Sequence, residues 1–585
     1  MSEGIMSDGV KLENVKSDAI FSINSKSNDD FIPGTINIYS FSAQEGETDL
    51  QVTDDHIILL PQPTQSVNDP LNWTKSKKLW NFFVLAFITG FTAATSNDAG
   101  SIQDSLNEIY GISYDAMNTG AGVLFIAIGW ATFLFTPFAS LYGRKITYFI
   151  CIFLGLGGAV WFSQCRTTSD SIWSQLFVGA SEACAEAHVQ QSLTDMYFQH
   201  QLGSVLTVYI TATSVGTYLG PLIGGFIVQY VGFRWVGWIA VFISAALLIV
   251  IVFAMHETYF DRRLYHGVIL TGLPGTEARN EKKVLEKKTI VDSKNSDSNS
   301  VNSNLSKHDN DLELARTANN GASEPKNSYW KSVAMITPST NMIGTGFKQY
   351  CKRLILLFRV FLFPPCIFSG LVWGMQDALL TFYLTVEDDQ YYDPPYNYSN
   401  TGVALMNVPC LIGSIIGCIY AGVVSDWFTI WMAKRNNGIQ EAEFRLYFLI
   451  IPAVLCPVGL ILFAVGTDQQ WHWFPTYFGL GLVGLGFGSS GDVAMGYLMD
   501  AYPEMVIEMM AGVSVINNMF GCIFTFACSP WLNAMGNTKT FIILAVITCV
   551  IMGSSIPFIY FGKRIRLWTK PWYLDFCERR DRMEG

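Results

Sequence analysis

"GTYLGPLIGG", residues 216–225, carries glycine every fourth residue at Gly216, Gly220 and Gly224, and adds Gly225. On a helix the three spaced glycines form one smooth face where a neighbouring backbone can approach closely. Pro221 removes one backbone donor and bends the helix. The string lies inside an apolar segment near 204–228, so the sequence reads as helix packed on helix.

The rest of the chain extends that reading. Of 585 residues, 50% are hydrophobic and only 15% are charged, against about 25% charged in soluble domains. Runs such as "LWNFFVLAFITGFTAATS" and "ISAALLIVIVFAM" reach or approach the roughly 20 residues that span a bilayer as a helix. Period-2 alternation is absent, which excludes a membrane β-barrel. The 12 Cys fall mostly inside apolar runs with no CxxC pair, so they read as small packing residues, and no metal or cofactor is expected.

Apolar segments fall near 79–101, 119–140, 146–164, 172–194, 204–228 and 235–255, then near 361–385, 402–424, 446–466, 474–498, 510–531 and 540–561. The expected fold is an all-α membrane protein with twelve transmembrane helices in two six-helix bundles, 78–255 and 356–562. The formal net charge is −11, and up to residue 77 the chain has 5 Lys against 12 Asp and Glu. That acidic tail, 1–77, cannot bury enough surface to fold alone, and it lacks the features of a cleaved signal peptide. The polar, low-complexity stretch within 256–355 predicts a largely disordered linker, and 563–585 forms the C-terminal tail.

Lys and Arg in short loops set the orientation. Lys75, Lys77 and Lys78 precede the first helix; Arg144 and Lys145 follow the second; Lys434 and Arg435 follow the eighth; Lys563, Arg564 and Arg566 follow the last. The opposite loops "DAGSIQDSLNEIYGISYD" and "VEDDQYYDPPYNYS" contain neither, and Arg166, Arg234 and Lys539 are exceptions, one per loop. Both termini and the linker are therefore expected in the cytoplasm. The sequon at Asn397 falls outside, where it can be glycosylated, and the one at Asn72 falls inside, where it stays unused.

With its full G-x-x-x-G-P-x-x-G-G string, the fifth helix resembles the drug:H+ antiporter branch of the major facilitator superfamily. "LYGRK" (141–145), with Gly143 and Arg144, resembles that superfamily's loop between helices two and three. "KRNNGIQEAEFRL" (434–446), "YLMDAYPE" (497–504) and "HETY" (256–259) resemble stretches of its fungal members, among them plasma-membrane carriers of polyamines and histidinol. The resemblance covers nearly all of 70–575. It implies two bundles about a pseudo-two-fold axis, alternating access, and packing or gating roles for Gly143, Arg144, Gly216, Gly220, Pro221, Gly224 and Gly225. Two positions depart from the pattern. Ser140 stands where the loop normally has an acid, and Gln175 stands where the antiporters usually have the arginine linked to proton handling.

The chemistry lies in membrane-embedded acids. "FVGASEACAEAHVQQ" (177–191) holds Glu182, Glu186 and His188 in an apolar helix, and a charge at the membrane centre costs roughly 2.5–3.5 kcal/mol on insertion scales. At 3.6 residues per turn Glu182, Glu186 and Gln190 share one face, while His188 is turned about 200° from Glu186 and reads as a packed residue. Asp98, Asp377 and Asp492 lie in other helices. Trp373, one turn before Asp377, can stack on a cation.

Almost no Lys or Arg is available in the spans to neutralise these groups. A cavity built from them selects cations, and spaced carboxyls can also exchange protons. The expected substrate is a small organic cation, with polyamines (spermidine, putrescine) and histidinol favoured by the resemblance, imported with protons by a monomeric carrier in the lipid bilayer of the plasma membrane. The competing reading is a multidrug/cation efflux H+ antiporter. An intramembrane aspartyl protease is rejected, because Ser489 replaces the first glycine of its G-x-G-D sequence. A receptor on the same fold is separated by transport in vesicles. No enzyme activity and no nucleic-acid partner are expected.

Overall fold

The structure is a computed structural model that describes residues 32–37, 63–64, 66–262, 326–339, 342 and 344–584. Expectations for the rest of the N-terminal tail and the low-complexity centre of the linker lie outside the described residues.

The first six long helices are α1 (Lys75–Asn97), α2 (Tyr114–Tyr142), α3 (Arg144–Ser163), α4, α5 (Gln199–Tyr230) and α6 (Arg234–Phe253). Helix α4 starts as Thr168–Ala183, widens into a π-turn at Cys184–His188 and ends as Val189–Met196. The second six are α7 (Pro364–Gln390), α8, α9 (Ile450–Asp468, entered through Ala442–Leu449), α10 (Trp473–Ala501), α11 (Val506–Met535) and α12 (Asn537–Gly553). Helix α8 likewise passes from Asn407–Ile419 through a π-turn at Tyr420–Val424 into Ser425–Arg435.

Local chemistry sets the boundaries. Thr167 and Asp170 form a capping box at the start of α4, and Ser113 caps α2, each satisfying an orphan backbone donor. Gly143, at φ 107°, separates α2 from α3. Threonine hydroxyls within the helices, such as Thr89, Thr92 and Thr136, donate to carbonyls one turn back, which leaves them satisfied in an apolar medium.

Packing repeats with a period of six helices. α1 packs on α5, α2 and α3 on α4, and α3 on α6; correspondingly α7 packs on α11, α8 and α9 on α10, and α9 on α12. The two halves meet where α2 lies on α11 and α5 on α8. Among the described residues, eleven helical segments are long and apolar enough to cross a membrane. The run that falls short is α4, which carries the acids. Large apolar side chains such as Phe83, Phe87, Phe153, Ile249 and Val550 are exposed, as expected of a lipid-facing perimeter.

The glycines of the string lie close against neighbouring segments. A Cβ at Gly216 would run into the backbone of Gly90, and one at Gly220 would lie 2.6 Å from Ala94 O. Gly224 faces Ser101, and a Cβ at Gly225 would lie 2.5 Å from Ala404 Cβ. The first three press α5 on α1 and its extension; the last presses it on the short helix Asn400–Ala404.

The chain divides into two units, and the larger (Pro33–Ile36, Thr74–Tyr259, Asn327–Gly585) holds all twelve helices. In it, Phe347–Leu357, across the end of the expected linker, is a helix. A last helix, Ser555–Glu584, continues past α12. Arg566 on that helix is fully buried. It pairs with Glu441 at 2.7 Å and Glu443 at 2.6 Å and donates to Pro33 O and, at 3.1 Å, to Thr35 Oγ1. Burial works against the Glu441 charge, but bonds from Lys563, Thr35 and Arg566 outweigh it and hold that carboxyl below its usual range.

The smaller unit takes in Asn37–Trp73 and Phe260–Lys326. Its described part is a turn built on Asp69, which accepts from Thr64 N at 3.1 Å and Leu71 N at 3.0 Å and pairs with Arg262 at 3.1 Å. Asn72 donates its side-chain amide to Thr64 O at 2.7 Å and Ser66 O at 2.8 Å, so this sequon nitrogen is already engaged.

Candidate functional site

Helices α1, α2, α4, α5, α7, α10 and α11 surround a cavity of about 1090 Å³, counted with the open solvent it joins. Glu182, Glu186, Trp373 and Asp377 all line it. Asp98 and Asp492 do not. The side chain of Asp98 lies against the glycine face of α5, with Oδ1 2.9 Å from where a Cβ on Gly220 would be. Asp492 is buried, its Oδ2 has no hydrogen-bond partner among the described residues, and Arg445 and Asp426 act on it electrostatically. The sequence placed both acids on helices but did not show which way they face, and Asp98 is the C-cap residue just past the end of α1.

The π-turn sets the positions of the α4 acids, and an ideal helix does not describe them. Val189 N donates to Cys184 O, five residues back. The carbonyl of Ala185, which an α-helix would pair with Val189, accepts from Tyr209 OH at 2.6 Å instead. A turn widened by one residue is a frequent companion of functional sites. Glu182 and Glu186 remain on the cavity, but Gln190 leaves the shared face and reaches Met495 Sδ at 3.7 Å. His188 is fully buried with Nδ1 3.2 Å from Ala183 O. It is a packed residue.

On the opposite wall Asn517 Nδ2 lies 3.4 Å from Asp377 Oδ2, and Asn518 donates to Asn517 Oδ1 at 2.8 Å. This amide relay was missed in the sequence, although two adjacent Asn in an apolar run ("VINNMF") were a visible signal. The Trp373 indole is buried and packs over Gly491, where a Cβ would lie 3.7 Å from the ring. Gln175 also lines the cavity, and its Oε1 is buried with no partner among the described residues. Asp388, read from the sequence as part of a loop, is in the last turn of α7 and lines the same cavity. No Lys, Arg or His appears among the lining residues. Four carboxyl groups therefore face a space with no fixed positive charge.

The motif residues at the other helix ends form two related charge clusters. Gly143 leaves Arg144 N and Lys145 N facing the Glu257 carboxylate at 3.2 and 3.0 Å. The Arg144 guanidinium pairs with Asp195 at 3.2 Å and stacks over Tyr259. In the second half Arg445 pairs with Asp426 at 2.9 Å and Asp500 at 3.1 Å. Glu257, from "HETY", is the member that sequence reasoning did not single out. Asn397 lies in the loop after α7 at φ 48°.

A duplicated twelve-helix bundle around a central cavity, with charge clusters where helices end, defines a multi-pass membrane transporter. The chain belongs to the Major Facilitator Superfamily, whose family model matches residues 82–527. It is 54% identical over 574 residues to "Protein HOL1" of Saccharomyces cerevisiae, covering 94% of this chain and 98% of that one. It is 45% identical over 559 residues to "Uncharacterized MFS-type transporter C1271.10c" of Schizosaccharomyces pombe, covering 94% and 96%. A more distant relative is "Probable drug/proton antiporter YHK8" of Saccharomyces cerevisiae, 23% identical over 78% of this chain and 79% of that one.

Proposed function

We propose that the chain imports small organic cations, linear polyamines first among them, with protons as the coupling ion. The observation that carries this reading is the sign of the cavity: Glu182, Glu186, Asp377 and Asp388 line it, and no basic residue does. Ammonium groups would exchange water for charge-assisted hydrogen bonds to these carboxylates, while the Trp373 face would stack on the charge. For the inward proton gradient to drive uptake, one of these acids must take up a proton outside and give it up inside together with the amine, while the others carry the ammonium charges.

Neutral Gln175 stands where antiporters usually have arginine, which weakens the antiport reading. In the proposed setting the protein sits in the plasma membrane with both termini in the cytoplasm and Asn397 outside, carrying a glycan. The test is uptake of labelled spermidine, putrescine and histidinol into cells lacking or overproducing the chain, repeated with a protonophore at clamped membrane potential. Accumulation that follows the proton gradient supports the reading. Accumulation indifferent to the protonophore removes proton coupling, and faster loss of preloaded amine on overproduction supports efflux.

A further inference from the structure

The cavity has a second acidic pole. Glu387 and Asp388 close α7, and although both are acidic they are almost completely buried, at 1% and 7% exposure. Asp388 lines the central cavity and also a smaller adjoining one of about 300 Å³, into which Glu387 faces beside Gly100, Tyr392 and Asn407. Neither carboxylate has an ion-pair partner among the described residues. Glu387 Oε1 is buried and has no hydrogen-bond partner among the described residues. Such an orphaned acceptor is expensive unless a donor arrives from outside the chain. Asp104 and Asp389 add further negative charge to Asp388. Gly100 lies against this pole, with the position of its absent Cβ 3.7 Å from Asp388 Oδ2.

The spacing between the poles carries chemical information. Asp377 and Asp388 are eleven residues apart on one helix, which at 1.5 Å per residue is about 16 Å. Between them Leu380, Thr381, Leu384 and Thr385 line the cavity. That wall of methyl groups and hydroxyls suits a methylene chain interrupted by amines.

The geometry points to a second ammonium-binding station at Glu387 and Asp388, so that the carrier holds an extended polyamine by both ends. This deepens the proposed function and rests on it. A long tetraamine spans the two poles, whereas a short diamine engages the central acids alone.

The test compares spermine with N1-acetylspermine, which keeps the length and lacks one terminal charge, as competitors of labelled spermidine on the full-length protein in nanodiscs. Putrescine and N-acetylputrescine, too short to span the poles, serve as the reference pair. In the wild type, spermine should compete about tenfold better than its acetylated form, the worth of one charge-assisted hydrogen bond. In Glu387→Gln and Asp388→Asn that ratio should fall to within about twofold, while the putrescine ratio sets the share due to the central acids. A wild-type spermine ratio near one overturns the second station without any variant being made, and so does a tenfold ratio that persists in both variants. Failure of every amine to compete would instead overturn the proposed function itself.

Discussion

Arg144 Nε lies 3.2 Å from Asp195 Oδ2, joining the start of α3 to the end of α4, and Arg445 Nε repeats the bond to Asp500 Oδ2 at 3.1 Å six helices later. The two clusters differ in redundancy. Arg445 also pairs with Asp426 near the C-terminal end of α8, whereas the matching end of α2 has Ser140, whose hydroxyl turns back to Thr136 O at 3.2 Å. Among the described residues Asp195 is the only carboxylate paired with the Arg144 guanidinium.

This asymmetry predicts unequal damage. Removing the partner of a buried charge costs about 3–5 kcal/mol, and Asp195→Asn leaves Arg144 without a carboxylate. Asp500→Asn leaves Arg445 paired with Asp426. Asp195→Asn should therefore lower the melting temperature of the detergent-purified protein more than Asp500→Asn, and Ser140→Asp should recover part of the loss.

The acids of α4 give a second expectation. Glu182→Gln and Glu186→Gln preserve volume and remove charge, and each should weaken amine affinity by roughly tenfold to a hundredfold, one charge-assisted bond. His188→Gln should do much less to affinity, because His188 lies within the helix packing and not on the cavity. Competition binding on protein that reaches the membrane distinguishes them. A larger loss in the histidine variant would contradict the assignment.

Gln175 offers a gain-of-charge test. Its side chain shares the cavity with Glu182, so Gln175→Arg places a cation where the substrate charge belongs. Amine uptake should fall by at least tenfold while Gln175→Ala stays within a few-fold of the wild type. Equal uptake in the arginine variant would show that the substrate does not reach this wall.

Two helical glycines make a matched pair. A Cβ at Gly216 collides with the backbone of Gly90, whereas one at Gly157 on α3 meets nothing within 4 Å. Gly216→Ala should destabilise by about 1–3 kcal/mol, as overpacking does, and Gly157→Ala should be neutral or slightly stabilising through its better helix propensity. Thermal unfolding of the two variants side by side decides it.

How far the sequence could be read follows from what leaves a local trace. Apolar runs and the glycine string located the helices, because a bilayer demands about twenty apolar residues wherever a helix crosses. The π-turn at Cys184–His188 left none: one additional residue in a turn changes direction, not composition, so Gln190 was placed on the wrong face. Asp98 and Asp492 were recognised as helical acids, but their orientation depends on neighbours hundreds of residues away. Glu387 and Asp388 looked like loop because charge and "DPPY" cluster there, and only the fold reveals that α7 carries them inward. The buried contacts of Arg566 with Glu441, Glu443 and Thr35 join segments too distant in sequence for any local pattern to announce.

The glycine seams also have a mechanical consequence. On α5 the contact with α1 is backbone against backbone, and α8 meets α10 in the same way: Gly417 sits on Leu485, with the position of its absent Cβ 2.5 Å from that carbonyl, and Gly484 and Gly488 sit on Cys410 and Ser414. Surfaces so close cannot slide without separating first. Each pair therefore behaves as a single stiff plate, and since α5 and α8 also face one another, the plates share an edge. Any rocking between the halves is confined to a roll along that edge and along the α2–α11 line, like a book whose covers do not bend.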